Sequence, residues 1–166
     1  MTATYEKIAT TTLGTTTATV NFSSISGSYT DLVVIITGSF NGNDLPAWQV
    51  GNGSASTTGY SQTILRGNGT SALSVGFSNQ SLTWSGDVNN IANSQFNCII
   101  NFQNYSNTTT FKTMLSRYNN PGYETMTGVN LWRNTSAINY LSFKGLSSNS
   151  YNSGTTFTLY GIAREV

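Results

Sequence analysis

Histidine is absent from this chain of 166 residues, and there is one cysteine. The first absence removes Ser-His-Asp and Cys-His nucleophile systems together with the commonest metal ligand. The second leaves no zinc set of the usual kind and no disulfide within the chain. Charge is nearly as scarce, at 8% of residues with a formal net charge of +1, so neither nucleic acid nor an acidic solvating tail is expected. The longest apolar run is Leu32 to Ile36, far short of the roughly 20 residues of a membrane span, and a membrane is not an expected partner. The opening Met1 to Lys7 lacks the basic start and apolar stretch of a secretory signal, so the expectation is a soluble product made in the cytoplasm.

Chemistry-bearing patterns are missing too. Gly51-Asn52-Gly53 and Gly67-Asn68-Gly69 lack the following helix and lysine of a phosphate cradle and read as turns. The carboxylates Glu6, Asp31, Asp44, Asp87, Glu124 and Glu165 are isolated in sequence, which gives no ready pair for glycoside hydrolysis, and Asp31 and Asp87 suit turns and strand ends. The chain is expected not to be an enzyme and to carry no cofactor or metal.

What is abundant is Ser, Thr, Asn and Gly, interleaved with β-branched and aromatic residues. Apolar residues recur every second position in segment after segment, and no sustained helical repeat with caps appears. Ala18, Val20 and Phe22 alternate, followed after a turn by an apolar strand over 31–40, and these two are expected to pair. Leu73, Val75 and Phe77 alternate, as do Phe96, Cys98, Ile100 and Phe102, which places Cys98 inside as a small apolar residue. Strands over 110–118 and 125–132 flank Asn119-Asn120-Pro121-Gly122, the clearest hairpin, with Pro121 presetting φ and Gly122 free to take a positive one. Segments 138–146 and 155–164 complete the series. Gly-rich 41–69 is the least regular region, with short strands near 47–50 and 60–66.

Eight or so uneven strands in one core predict an all-β, antiparallel two-sheet sandwich, a jelly roll ahead of a small barrel. Residues 17–166 form the domain. Residues 1–16 are β-prone and read either as an edge strand or as an arm that pairs with a neighbouring subunit.

Candidate contacts for a glycan or protein partner gather on the aromatic residues and arginines. Trp48 beside Asp44 and Gln49, with Tyr60 just beyond, could form a stacking platform in the Gly-rich region; alternatively the tryptophans fill the core or a subunit interface. Arg117 and Arg133, on the two arms of the hairpin, could bind a carboxylate or stand solvated.

The segments Tyr5 to Gly14, Ala18 to Ile25, Tyr29 to Val34 and Phe157 to Ile162 resemble small virion structural proteins of tailed bacteriophages, and the resemblance covers the two ends of the chain better than its middle. It implies a jelly-roll subunit, usually a homotrimer, located in the virion. One implied role is capsid decoration or cement, with the major capsid protein or other virion proteins as partners. The other is a tail-fibre tip that binds a glycan or protein of the host surface, and a free carbohydrate-binding module is a further alternative. A fibre normally carries an attachment segment and repetitive shaft, and neither pattern occurs in this sequence, which puts decoration first.

Overall fold

Buried and exposed residues alternate through most strands of the structure, a computed structural model that describes residues 4–86 and 92–163. Among these residues there are twelve strands and no helix. In chain order they are β1 (Tyr5–Thr12), β2 (Thr19–Phe22), β3 (Asp31–Gly38), β4 (Pro46–Gly51), β5 (Tyr60–Gly67), β6 (Ala72–Gln80), β7 (Thr83–Trp84), β8 (Phe96–Gln103), β9 (Lys112–Asn120), β10 (Glu124–Trp132), β11 (Tyr140–Gly145) and β12 (Thr156–Ile162). They form an eight-stranded sheet, β1-β12-β3-β8-β9-β10-β5-β6, and a four-stranded one, β2-β11-β4-β7. Every pairing is antiparallel.

The topology becomes simple once two hairpins are set aside. Without β5-β6 and β9-β10, the large sheet reads β1-β12-β3-β8 and the small one β2-β11-β4-β7. These are nested antiparallel pairs, first with last and so inward, alternating between the sheets. That order is a jelly roll. The two extra hairpins are inserted between β4 and β7 and between β8 and β11, and both extend the same edge of the large sheet.

Side-chain periodicity explains which face points inward. On β8, Phe96, Cys98, Ile100 and Phe102 are fully buried. On β9, Met114, Ser116 and Tyr118 are buried while Leu115 and Arg117 are exposed; on β10, Met126, Gly128, Asn130 and Trp132 are buried while Thr125, Thr127 and Val129 are exposed. Each such alternation commits one face of the strand to the core, because a shift of one residue would turn the whole set outward. Leu32, Val34 and Ile36 of β3 and Phe157 and Leu159 of β12 complete the large sheet's inner layer, which packs with Phe22, Trp48, Leu141 and Phe143 of the small sheet. Each fully buried large apolar side chain contributes about 1.5–3 kcal/mol relative to exposure.

Two sequence expectations are corrected here. β2 does not pair with β3: it pairs with β11 in the small sheet, and β3 lies between β12 and β8 in the large one. In a jelly roll the connection over 23–30 carries the chain across to the other sheet rather than back along a hairpin. The hairpin of β9 and β10 forms over the expected residues, but Gly122 does not take a positive φ. Instead Asn120 closes the turn, its carbonyl accepting from Tyr123 N–H at 2.9 Å and its side-chain oxygen from Gly122 N–H at 3.0 Å. The β5-β6 turn does use glycine freedom, with Gly69 at φ 87° and the Asn68 side-chain oxygen accepting from the N–H groups of Thr70 and Ser71. Residues 5–12 form β1, paired with β12 of the same chain at the outer edge of the large sheet.

Candidate functional site

The four strands of the inserted hairpins, together with β8, present an uncovered outer face, and an open groove of about 780 Å³ lies across it. Register defines two rows of side chains there. Leu65 of β5 stands opposite Thr127 of β10, Thr127 opposite Arg117 of β9, and Arg117 opposite Ile99 of β8. One pleat along, Gly67, Thr125, Asn119 and Asn97 form the second row. Directly opposed residues on antiparallel strands project from the same face with their Cβ atoms about 5 Å apart, so these side chains form one continuous surface.

Local hydrogen bonds set what the groove offers. The Thr127 hydroxyl donates to Ser116 carbonyl at 3.2 Å and that of Thr125 to Tyr118 carbonyl at 3.5 Å, which uses the proton of each and leaves its oxygen to act as an acceptor. The Asn97 side-chain oxygen accepts from the Thr37 hydroxyl at 3.0 Å, which holds the amide in place. Arg117 supplies a fork of donors. Beneath the site, Arg66 and Glu124 meet at 3.5 Å and tie β5 to β10 on the inner side, where the Glu124 side chain is fully buried. No carboxylate is among the described residues that line the groove.

A second, smaller groove of about 400 Å³ continues along the same face, between β6, β5 and β10, and ends at Arg133. Arg133 follows β10 directly, and its N–H donates to the Gly59 carbonyl at 2.8 Å. The two arginines noted from the sequence therefore share one sheet face, one in each groove.

The residues expected around Trp48 lie elsewhere, and the platform they would have made is not formed. Trp48 is fully buried, its indole N–H directed at the Met114 sulfur at 3.4 Å. Asp44 is an internal staple, accepting from the N–H groups of Leu45 at 2.8 Å, Ser147 at 2.7 Å and Asn149 at 2.7 Å. Gln49 donates to Ser81 carbonyl at 2.9 Å, and the Tyr60 hydroxyl is bonded to the backbone of Val50. The physical reason is β4 itself: it runs between β11 and β7 with all of its residues buried, so the surrounding glycines mark tight turns around an interior strand. Trp84 and Trp132 are buried as well.

Of the six carboxylates, Asp87 and Glu165 lie outside the described residues, as do Arg164 and positions 1–3. Among the described residues no three His, Cys, Asp or Glu side chains gather as a metal set. Cys98 is buried, and burial pushes its thiol up to about 12.

Sequence reasoning missed Leu65, Asn97, Ile99, Asn119, Thr125 and Thr127. The available signal was that several of them occupy the polar or outward positions of alternating strands. Their convergence depends on β10 pairing with β5, a contact that joins the two inserted hairpins.

No family model matches the chain, and no curated protein is significantly similar to it. Among solved structures, a toad ovary galectin in complex with thio-digalactose is similar at a TM-score of 0.41 and 10% identity, covering 86% of this chain and 98% of that one. CG-16, a homodimeric agglutinin from chicken liver, is similar at a TM-score of 0.37 and 10% identity, covering 84% of this chain and 98% of that one. At these values the likeness is one of general outline and assigns no ligand.

Proposed function

We propose that this protein is a non-catalytic carbohydrate-recognition module whose binding site is the outer face built by the two inserted hairpins. The observation that carries the reading is the mixed lining of the groove: the hydroxyls and amides of Thr125, Thr127, Asn97 and Asn119 and the Arg117 guanidinium, flanked by apolar Leu65 and Leu73 on one side and Ile99 on the other. Sugars present alternating hydroxyl groups and C–H faces. Hydroxyls need donors and acceptors together, which Thr, Asn and Arg supply, and the C–H faces need apolar contact. The short Thr and Asn side chains lose little rotamer entropy when a ligand orders them. The hairpins are additions to a jelly roll that is complete without them, which supports a role in binding beyond holding the fold.

A glycan array tests this. Wild-type protein is expected to bind a subset of glycans, and Thr127→Trp, which fills the groove on an exposed β-strand position, is expected to abolish that binding while the thermal midpoint stays within a few degrees. Unaltered binding by the variant, or no binding by the wild type, would sink the reading.

A second reading is a structural component of a phage particle, bound to shell subunits through the same face. It is supported by the resemblance at the two ends of the chain and by exposed apolar residues, Leu115 and Val129, which stand directly opposite each other beside the groove, with Leu65 nearby. Such a patch suits burial against another protein. Under this reading the protein would form homotrimers and occur in many copies on the particle. Immunogold counting on purified particles tests it: dense labelling of the head supports decoration, sparse labelling at the tail supports a receptor-binding tip, and no labelling contradicts it.

A further inference from the structure

Arg117 and Arg133 stand on the same face with no carboxylate among the described residues lining either groove. Arg133 is six positions beyond Thr127, the residue opposite Arg117, and at about 3.3 Å per residue this puts the two guanidinium-bearing positions roughly 20 Å apart. In a chain with so few charges, two cations on one binding face leave it net positive. Glu124, on β10, has a fully buried side chain and pairs with Arg66.

Resting on the carbohydrate reading above, we propose that the ligand is an acidic glycan, a linear saccharide with sugar carboxylates, of which one is gripped by Arg117 and another by Arg133. The planar guanidinium matches a carboxylate in a bidentate fork, and Ile99, directly opposite Arg117, gives the first pairing an apolar neighbour. Between the two arginines the face offers Thr63, Val129 and Leu131, sites for hydroxyl and C–H contact along an extended ligand. An acidic peptide fits the charge, but Arg117 lies on β9, whose backbone groups are paired with β8 and β10, so main-chain recognition by strand addition is confined to the outer edge of β6, away from that arginine.

An array carrying uronic-acid, sialic-acid and neutral glycans is the test, followed by calorimetric titration of the best-bound glycan, its carboxyl methyl ester and poly-L-glutamate. The acidic glycan is expected to bind about tenfold or more tightly than its ester, with affinity falling as salt is raised. Arg117→Gln and Arg133→Gln, both at exposed positions, are each expected to weaken the acidic ligand about tenfold more than they weaken the ester. Equal binding of acid and ester, or array binding confined to neutral glycans, overturns the acidic ligand while leaving carbohydrate recognition standing. Poly-L-glutamate binding as tightly overturns the saccharide class, and binding of no glycan at all overturns both readings.

Discussion

The Tyr60 hydroxyl accepts from the N–H of Val50 at 2.8 Å and donates to the carbonyl of the same residue at 2.9 Å, locking the start of β5 in the large sheet to β4 in the small one. Both residues are fully buried. The contact bears on the proposed site because β5 forms one wall of the groove. Burial raises the phenol's pKa well above its ordinary value, which keeps it in the protonated form that this double bond requires.

Tyr60→Phe removes both bonds and leaves two backbone groups of Val50 without the hydroxyl. The expected loss is about 1–3 kcal/mol of stability, read as a lower urea midpoint at unchanged slope.

Trp48→Ala and Asp44→Ala separate structure from binding. The first opens a cavity in the core and is expected to cost about 3–5 kcal/mol. The second strips three N–H groups of a charged acceptor and is expected to cost about 3 kcal/mol or more. Neither side chain touches the groove, so glycan affinity measured on the folded fraction is expected to stay at the wild-type value.

Alkaline pH is expected to destabilise the fold. Burial raises Cys98 from its ordinary 9.0 to about 12, and desolvation raises Tyr60, Tyr118 and Tyr151 as well. Above about pH 9 the unfolded chain begins to lose protons that the folded chain keeps, so stability is intact below that pH and falls progressively toward pH 12. Urea midpoints at a series of pH values would show it, and Cys98→Ala would flatten the early part of the fall. The native thiol is expected to resist disulfide reagents until the protein unfolds.

Strand positions were legible in the sequence because burial on one face writes itself into period-two alternation, as in Phe96 to Phe102 and in the hairpin around Pro121. Connectivity between sheets was not. Nothing local to 18–40 distinguishes a return along a hairpin from a crossing to the opposite sheet, and only the nested pairing of β2 with β11 decides it. The site was half legible for the same reason. Arg117 and Arg133 stood out as cations in a nearly uncharged chain, whereas the rows linking Leu65 to Thr127 and Asn119 to Asn97 come from pairing between strands far apart in sequence. Of the two readings of Trp48, the core one holds, and the sequence left both open because exposed aromatic platforms and buried core indoles share the same Gly- and Asn-rich flanks.

The most direct test of the central claim is to map a bound glycan by amide chemical shifts, adding the tightest array ligand to isotopically labelled protein. The account predicts perturbations concentrated on β5, β9 and β10 around Leu65, Arg117 and Thr127, fading toward β1 and the small sheet. Perturbations centred instead on the loops around β4, or on the β1 edge, would contradict it.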